Sequence, residues 1–241
     1  MKIGEMLYEG KAKKIFKTDK ENEVIVYYKD DATAFNGLKK GTIINKGIMN
    51  NKITNFFFDL LGKQGIPHHI IKELSDREVL VKKVQIIPIE VVTRNIVAGS
   101  LSKNLGIPEG EKLASTVVEL YYKNDEVGDP QINYYHAKAM KLATQEQIDT
   151  MEKYALKINE ILSSYLAERG ILLVDFKLEF GLYEGQVILA DEITPDTCRL
   201  WDSKTMEKMD KDRFRRDLGN VEDFYSEILQ RLQKEFPHAV V

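Results

Sequence analysis

Between Val174 and Phe180 apolar and charged side chains alternate, with Val174, Phe176, Leu178 and Phe180 set against Asp175, Lys177 and Glu179. Successive side chains of a strand point to opposite faces, so the pattern predicts a strand with one apolar face and one charged face. A Glu184-Gly185 pair within residues 182–186 predicts a hairpin turn, after which Asp191 returns roughly opposite Glu179. Near the N-terminus, Leu7-Tyr8, Lys14-Ile15-Phe16 and residues 24–28 read as hairpin strands separated by turn chemistry at Gly10 and around residues 18–22. Residues 30–41 read as a polar, glycine-containing loop, and residues 66–71, 79–84 and 86–95 as further strands. A helical period places Ile48, Ile53, Phe56, Phe57, Leu60 and Leu61 along one flank of a helix over residues 45–62. Thr144 and Gln147 form a capping-box pattern ahead of a helix carrying Ile148, Met151, Ala155, Ile158, Leu162 and Tyr165, which stops at Gly170. A loop through Pro195, a charged helix near residues 210–218 and an amphipathic helix with Val221, Phe224, Ile228 and Leu232 complete the chain. This order suits an α+β architecture: a small β-rich lobe over residues 1–85, then a larger α+β lobe over residues 86–241.

The composition is that of an ordinary globular protein, 43% hydrophobic and 30% charged over 241 residues. A net charge of -3 gives no general attraction to nucleic acid or anionic membranes, so phosphate binding has to come from local clusters. The lone Cys198 rules out an intramolecular disulfide and suits a reducing compartment. The first residues lack the apolar core of a secretion signal, and no stretch of about 18 uncharged apolar residues occurs. A cytoplasmic protein that binds small molecules is therefore expected.

Glu179 and Asp191, brought together across a hairpin, would repel; a bound cation would relieve that, and hard oxygen ligands beside phosphate favour magnesium. The segment from Leu7 to Phe16 is a strand, a glycine turn bearing Lys11 and Lys13, and a second strand, able to fold over a polyphosphate. It is not a Walker A loop, since Ala12 stands where Ser or Thr belongs. Glu90 and Arg94 share a strand face beside a glycine turn carrying Ser100, a combination able to hold a phosphomonoester. Residues 191–202 combine carboxylates, a rigid Pro195 turn and Arg199. His68 and His69 are adjacent, so in a strand they face opposite ways and suit structural roles. Cys198 has no base beside it. The residues alone lead to a metal-dependent phosphate-handling enzyme.

Taken together, YEGKAKKIF from Tyr8, DDATAFNG from Asp30, VKK from Val81, PIEVVTRNIVAGS from Pro88, LVDFKLEFG from Leu173 and DEITPDTCRLWD from Asp191 resemble the SAICAR synthetase family over nearly the whole chain. The resemblance implies a two-lobed fold related to ATP-grasp and kinase-like nucleotide binders, often homodimeric. It also implies an ATP-dependent ligase that joins L-aspartate to a carboxyaminoimidazole ribonucleotide through an acyl phosphate, releasing ADP and phosphate. By this resemblance Lys11, Ala12 and Lys13 would meet the ATP phosphates, Val81, Lys82 and Val84 would run along the adenine, and Glu179 and Asp191 would be Mg2+ ligands. Arg94, Ser100 and Arg199 would clamp the ribonucleotide phosphate. Glu90, Asp175, Lys177 and Asp196 would surround the reacting carboxylate, and Lys211, Arg215 and the loop at 30–41 are candidates for the aspartate pocket. A small-molecule kinase would release ADP without aspartate, and a silent nucleotide binder would release none.

Overall fold

A computed structural model describes residues 3–34 and 37–234. The chain begins with β1 (Met6–Glu9), β2 (Lys13–Lys17), β3 (Glu23–Tyr28), the hairpin β4 (Asp31–Ala34) and β5 (Lys39–Thr42), helix α1 (Lys46–Lys63), β6 (Ile70–Ser75) and β7 (Glu78–Lys82). β1, β2, β3, β7 and β6, in that order, make a five-stranded sheet, and β4 pairs with β5 in a separate two-stranded one. Residues 30–41, read from sequence as a loop, thus contain a hairpin in which Asp31 pairs with Thr42 and Ala34 with Lys39. Phe35 and Asn36 lie outside the described residues.

The second sheet starts with β8 (Gln85–Ile96), followed by α2 (Gly99–Leu105), β9 (Lys112–Tyr122), β10 (Gln131–Ile132), α3 (Tyr134–Ala139) and α4 (Gln145–Ala167). Then come β11 (Ile171–Tyr183), β12 (Gln186–Ala190), β13 (Cys198–Asp202), the short turn of helix α5 (Asp212–Arg215) and α6 (Val221–Gln233). β11 is the organising strand. β8 pairs along one edge of it, while the other edge is shared by β13 toward its start and β12 toward its end.

The alternation along β11 is realised from Phe176 to Phe180; Val174 departs from it, because the register shifts between Leu173 and Asp175 and turns Val174 to a separate cluster with Ala98 and Trp201. Phe176, Leu178 and Phe180 sink into the main core beside Ile53, Phe57 and Leu61 of α1 and Met151, Ile158 and Leu162 of α4. Each such side chain removed from water contributes about 1.5–3 kcal/mol, so the strand is held by its apolar face and its charged face is free for other uses. The α4 cap forms as expected: the Thr144 hydroxyl accepts from the Gln147 amide and the Gln147 side chain accepts from the Thr144 amide. The charged helix expected over 210–218 shortens to α5, because the Asp210 and Asp212 side chains bond neighbouring backbone and arginines instead of solvent. No helix among the described residues is long and apolar enough to cross a membrane.

Candidate active site

A cavity of about 690 Å³ opens between the two sheets. Its roof is the β1–β2 hairpin with Gly10, Lys11, Ala12 and Lys13, its rear wall is the connection Val81, Lys82 and Val84, and its floor carries Glu90, Lys177, Glu179 and Asp191. Apolar Val24, Val26, Val79 and Val81 line the side toward the first sheet's core, which suits the flat face of a heterocycle. All the sequence-expected nucleotide and metal residues therefore border one cleft.

The register differs from expectation in one respect. Glu184 and Gly185 both have positive φ (51° and 80°) in a two-residue turn, and the ladder pairs Glu179 with Ala190 rather than with Asp191. Asp191 follows the end of β12 with φ 56°, which swings it to the cleft by backbone torsion rather than by strand alternation. Nor do the two carboxylates face each other uncompensated. Lys13 Nζ lies 2.5 Å from Asp191 Oδ1 and 2.9 Å from Glu192 Oε1. Lys177 Nζ lies 2.8 Å from Glu90 and 2.5 Å from Glu179, which also meets Lys123 at 2.9 Å. Among the described residues no three His, Cys, Asp or Glu side chains converge as a self-sufficient metal cage. Two carboxylates on the floor of a nucleotide-sized cleft would nevertheless suit Mg2+, which is commonly held by one or two carboxylates plus substrate phosphates.

Burial works against the Lys177 ammonium, but the attraction of Glu179, Asp191 and Glu90 outweighs it and holds the pKa above the ordinary lysine value. Burial likewise opposes the Asp191 carboxylate, yet Lys13 and Lys177 hold it below the usual range. Both groups are therefore fixed charges near neutral pH, and Lys177 is an electrostatic group rather than a proton acceptor. Burial, aided by the Lys46 and Arg215 charges, lowers Lys211 despite Asp196. Lys11 reaches across the cleft mouth to Asp125 at 2.7 Å.

A second cavity of about 260 Å³ adjoins the first, and Glu90, Lys177 and Asp196 line both. Arg94 is its frame: Nε donates to Glu119 (2.6 Å), one terminal nitrogen to Asp175 (2.7 Å), the other to Ser100 Oγ (2.8 Å) and the Tyr121 hydroxyl (3.1 Å). Arg199 donates to Asp175 (2.8 Å) and Asp212 (2.9 Å), and Arg215 to Asp212 (2.6 Å). Gly99 has φ 55°, and a Cβ there would sit 2.3 Å from the Arg199 guanidinium, so only glycine lets that arginine lie against the turn. Asp196 accepts from the fully buried Lys46 (2.7 Å) and from the Tyr225 hydroxyl (2.6 Å), tying α1 and α6 to the point where the cavities meet.

Lys46 and Lys123 are not legible from sequence, since each acquires its carboxylate partner only through long-range packing, and the same holds for the contacts of Glu192 with Lys13 and of Asp212 with Arg199. Cys198 is buried, and burial pushes its thiol up, leaving it inert. The His69 ring is also buried, which lowers its pKa to about 3 and keeps it neutral; its Nε2 lies 3.1 Å from the Asp191 carbonyl oxygen.

Asp210, fully buried under β13, accepts from the Leu200 and Asp212 amides (both 2.8 Å). Burial, with the Asp212 charge adding to it, pushes its pKa up to about 7. Raised above the unfolded value of about 3.9, this group favours folding below pH 4 and loses that contribution as pH rises through 7. The loss is on the order of 4 kcal/mol for a shift of this size. Asp210→Asn is expected to flatten the fall in stability between pH 4 and 7 in urea titrations, whereas parallel curves for the two proteins would contradict it.

The SAICAR synthetase family model matches residues 6–232. The chain is 62% identical over 232 residues to a phosphoribosylaminoimidazole-succinocarboxamide synthase of Lachnoclostridium phytofermentans, covering 96% of this chain and 99% of the relative. The crystal structure of phosphoribosylaminoimidazole-succinocarboxamide synthase from Ehrlichia chaffeensis superposes with a TM-score of 0.93 at 47% identity, over 97% of this chain and 100% of that one. A SAICAR synthetase solved in complex with ADP superposes with a TM-score of 0.92 at 51% identity, over 97% of this chain and 99% of that one.

Proposed function

The chain belongs to the SAICAR synthetase family, a ligase family of purine biosynthesis, and from that premise we propose how its cleft works. The reaction is ATP-dependent ligation of L-aspartate to 5-amino-1-(5-phosphoribosyl)imidazole-4-carboxylate, giving the succinocarboxamide, ADP and phosphate. A free carboxylate is a poor acyl donor because its leaving group would be oxide. Transfer of the ATP γ-phosphoryl group to a carboxylate oxygen makes an acyl phosphate. The aspartate amine then attacks the carbonyl carbon, the C–N bond forms, and phosphate leaves with the oxygen.

The observation that carries this reading is the position of Lys177, a fixed cation between Glu90 and Glu179 where the two cavities join. A nucleotide in the larger cavity and an imidazole carboxylate in the smaller one would present their reacting oxygens to the same ammonium. Positioning and charge neutralisation supply the rate, as in other phosphoryl transfers. Lys11, Lys13 and the Ala12 backbone hold the ATP phosphates, and Val81, Lys82 and Val84 flank the adenine. Glu179 and Asp191 would hold Mg2+, whose charge would neutralise the phosphates. Arg94, Ser100 and Arg199 hold the ribonucleotide phosphate. Glu90 and Asp175 flank the reacting carboxylate. Asp196, Lys211 and Arg215 complete the substrate side, with Lys211 and Arg215 toward aspartate. The nucleotide lies between lobes 1–85 and 86–241 of a cytoplasmic homodimer.

The test is ADP release with ATP, Mg2+ and the imidazole ribonucleotide, with and without L-aspartate, followed by mass detection of product. Aspartate-dependent release with a succinocarboxamide product is expected. Release without aspartate would point to a kinase, and no release would end the ligase reading.

A further inference from the structure

Asp191 is held in the left-handed region at φ 56°, a conformation that a Cβ disfavours although aspartate takes it more readily than most residues. One neighbour is His69, whose Nε2 is 3.1 Å from the Asp191 carbonyl oxygen. That oxygen can only accept, so Nε2 carries the hydrogen. His69 is itself fastened to both sheets: its amide donates to the Leu189 carbonyl (2.9 Å), and its carbonyl accepts from the Lys82 amide (2.8 Å). Its ring packs against Phe58, centroids 5.6 Å apart.

The carbonyl it grips belongs to the peptide joining Asp191 to Glu192. The two side chains that leave this peptide on either side are the pair that holds Lys13, at 2.5 and 2.9 Å. We propose that His69 is a positioning residue: its Nε2–H fixes the 191–192 peptide and so sets the spacing of the two carboxylates that hold Lys13 at the phosphate end of the cleft. This role rests on the reading of that cleft as the nucleotide site.

The variants H69L, H69N and H69Q separate a donor at this point from simple space filling. Leucine has no donor, asparagine carries one too short to reach, and glutamine places its amide nitrogen near the position of Nε2. ADP binding is measured by calorimetry with and without Mg2+, alongside steady-state kinetics and a thermal melt of each variant. H69L and H69N are expected to weaken ADP binding and raise the KM for ATP about tenfold, the loss of one buried hydrogen bond. The KM for the imidazole ribonucleotide should stay within about twofold, and H69Q should restore native ADP affinity. If H69L does not fold, the H69N and H69Q comparison decides alone. Native affinity in H69N, or H69Q as weak as H69N, would overturn the proposal. Native protein that binds no ADP would instead overturn the nucleotide reading, and this role with it.

Discussion

Lys177→Met is expected to lower kcat by roughly two to three orders of magnitude, the usual loss when one preorganised group facing developing charge is removed. The ammonium is fixed from two sides by Glu90 and Glu179, and their attraction keeps it protonated. On the proposed mechanism no reorganisation would be needed as charge builds on the transferring phosphoryl group. Methionine matches the stem but leaves the two carboxylates without their shared cation. Lys123 still reaches Glu179, so the fold is expected to survive with a modest loss of stability. Lys177→Arg should recover little, because a planar fork does not reproduce a point charge at the junction of two cavities. Single-turnover measurements with saturating ATP isolate the effect from binding. A kcat within fivefold of native would remove Lys177 from the chemistry.

Arg94→Met is expected to cost about 3–5 kcal/mol of stability, the penalty for breaking a buried ion pair by deleting one partner. Arg94 is 3% exposed and bonded along its whole fork, to Glu119, Asp175, Ser100 and Tyr121. Its removal leaves the Glu119 carboxylate with the Tyr121 hydroxyl but no cation, and Asp175 with Arg199 alone. Arg94→Lys keeps the charge but cannot serve four acceptors, so it should fall between native and methionine. Urea unfolding measures both; a loss below about 1 kcal/mol for Arg94→Met would mean that the carboxylates find other partners or take up protons.

Much of this arrangement is written in local patterns. The β11 face from Phe176 to Phe180 follows from alternation, which the shift at Leu173–Asp175 breaks for Val174, the N-terminal hairpin from its glycine turn, and the α4 start from Thr144 and Gln147. Ala190 rather than Asp191 stands opposite Glu179 because Tyr183 pairs with Gln186, which centres the hairpin between Glu184 and Gly185. The strand expected over 66–71 lies at Ile70–Ser75, because the Pro67 carbonyl and the His69 amide are taken by Leu189 of the other sheet. β9 carries the adjacent valines Val117 and Val118, which break its alternation, and β13 follows a proline turn that reads as loop. The lysines that balance the site were hidden for a different reason. Lys46 meets Asp196 from 150 residues away and Lys123 meets Glu179 from 56, so only the fold brings them together.

The central place of β11 bears on how the cleft can move. From Asp175 to Glu179 the strand is paired with β8 on one side and with β13, the Thr197 carbonyl or β12 on the other. Amides enclosed this way exchange with solvent only through large-scale opening, whereas the exposed edge strand β1 has β2 alone to hold it. The β11 backbone under the cleft is thus expected to open only with the fold, and accommodation to a ligand falls to the roof. Deuterium uptake would record that division as slow labelling along β11 and fast labelling at the hairpin, with ligand changing only the second.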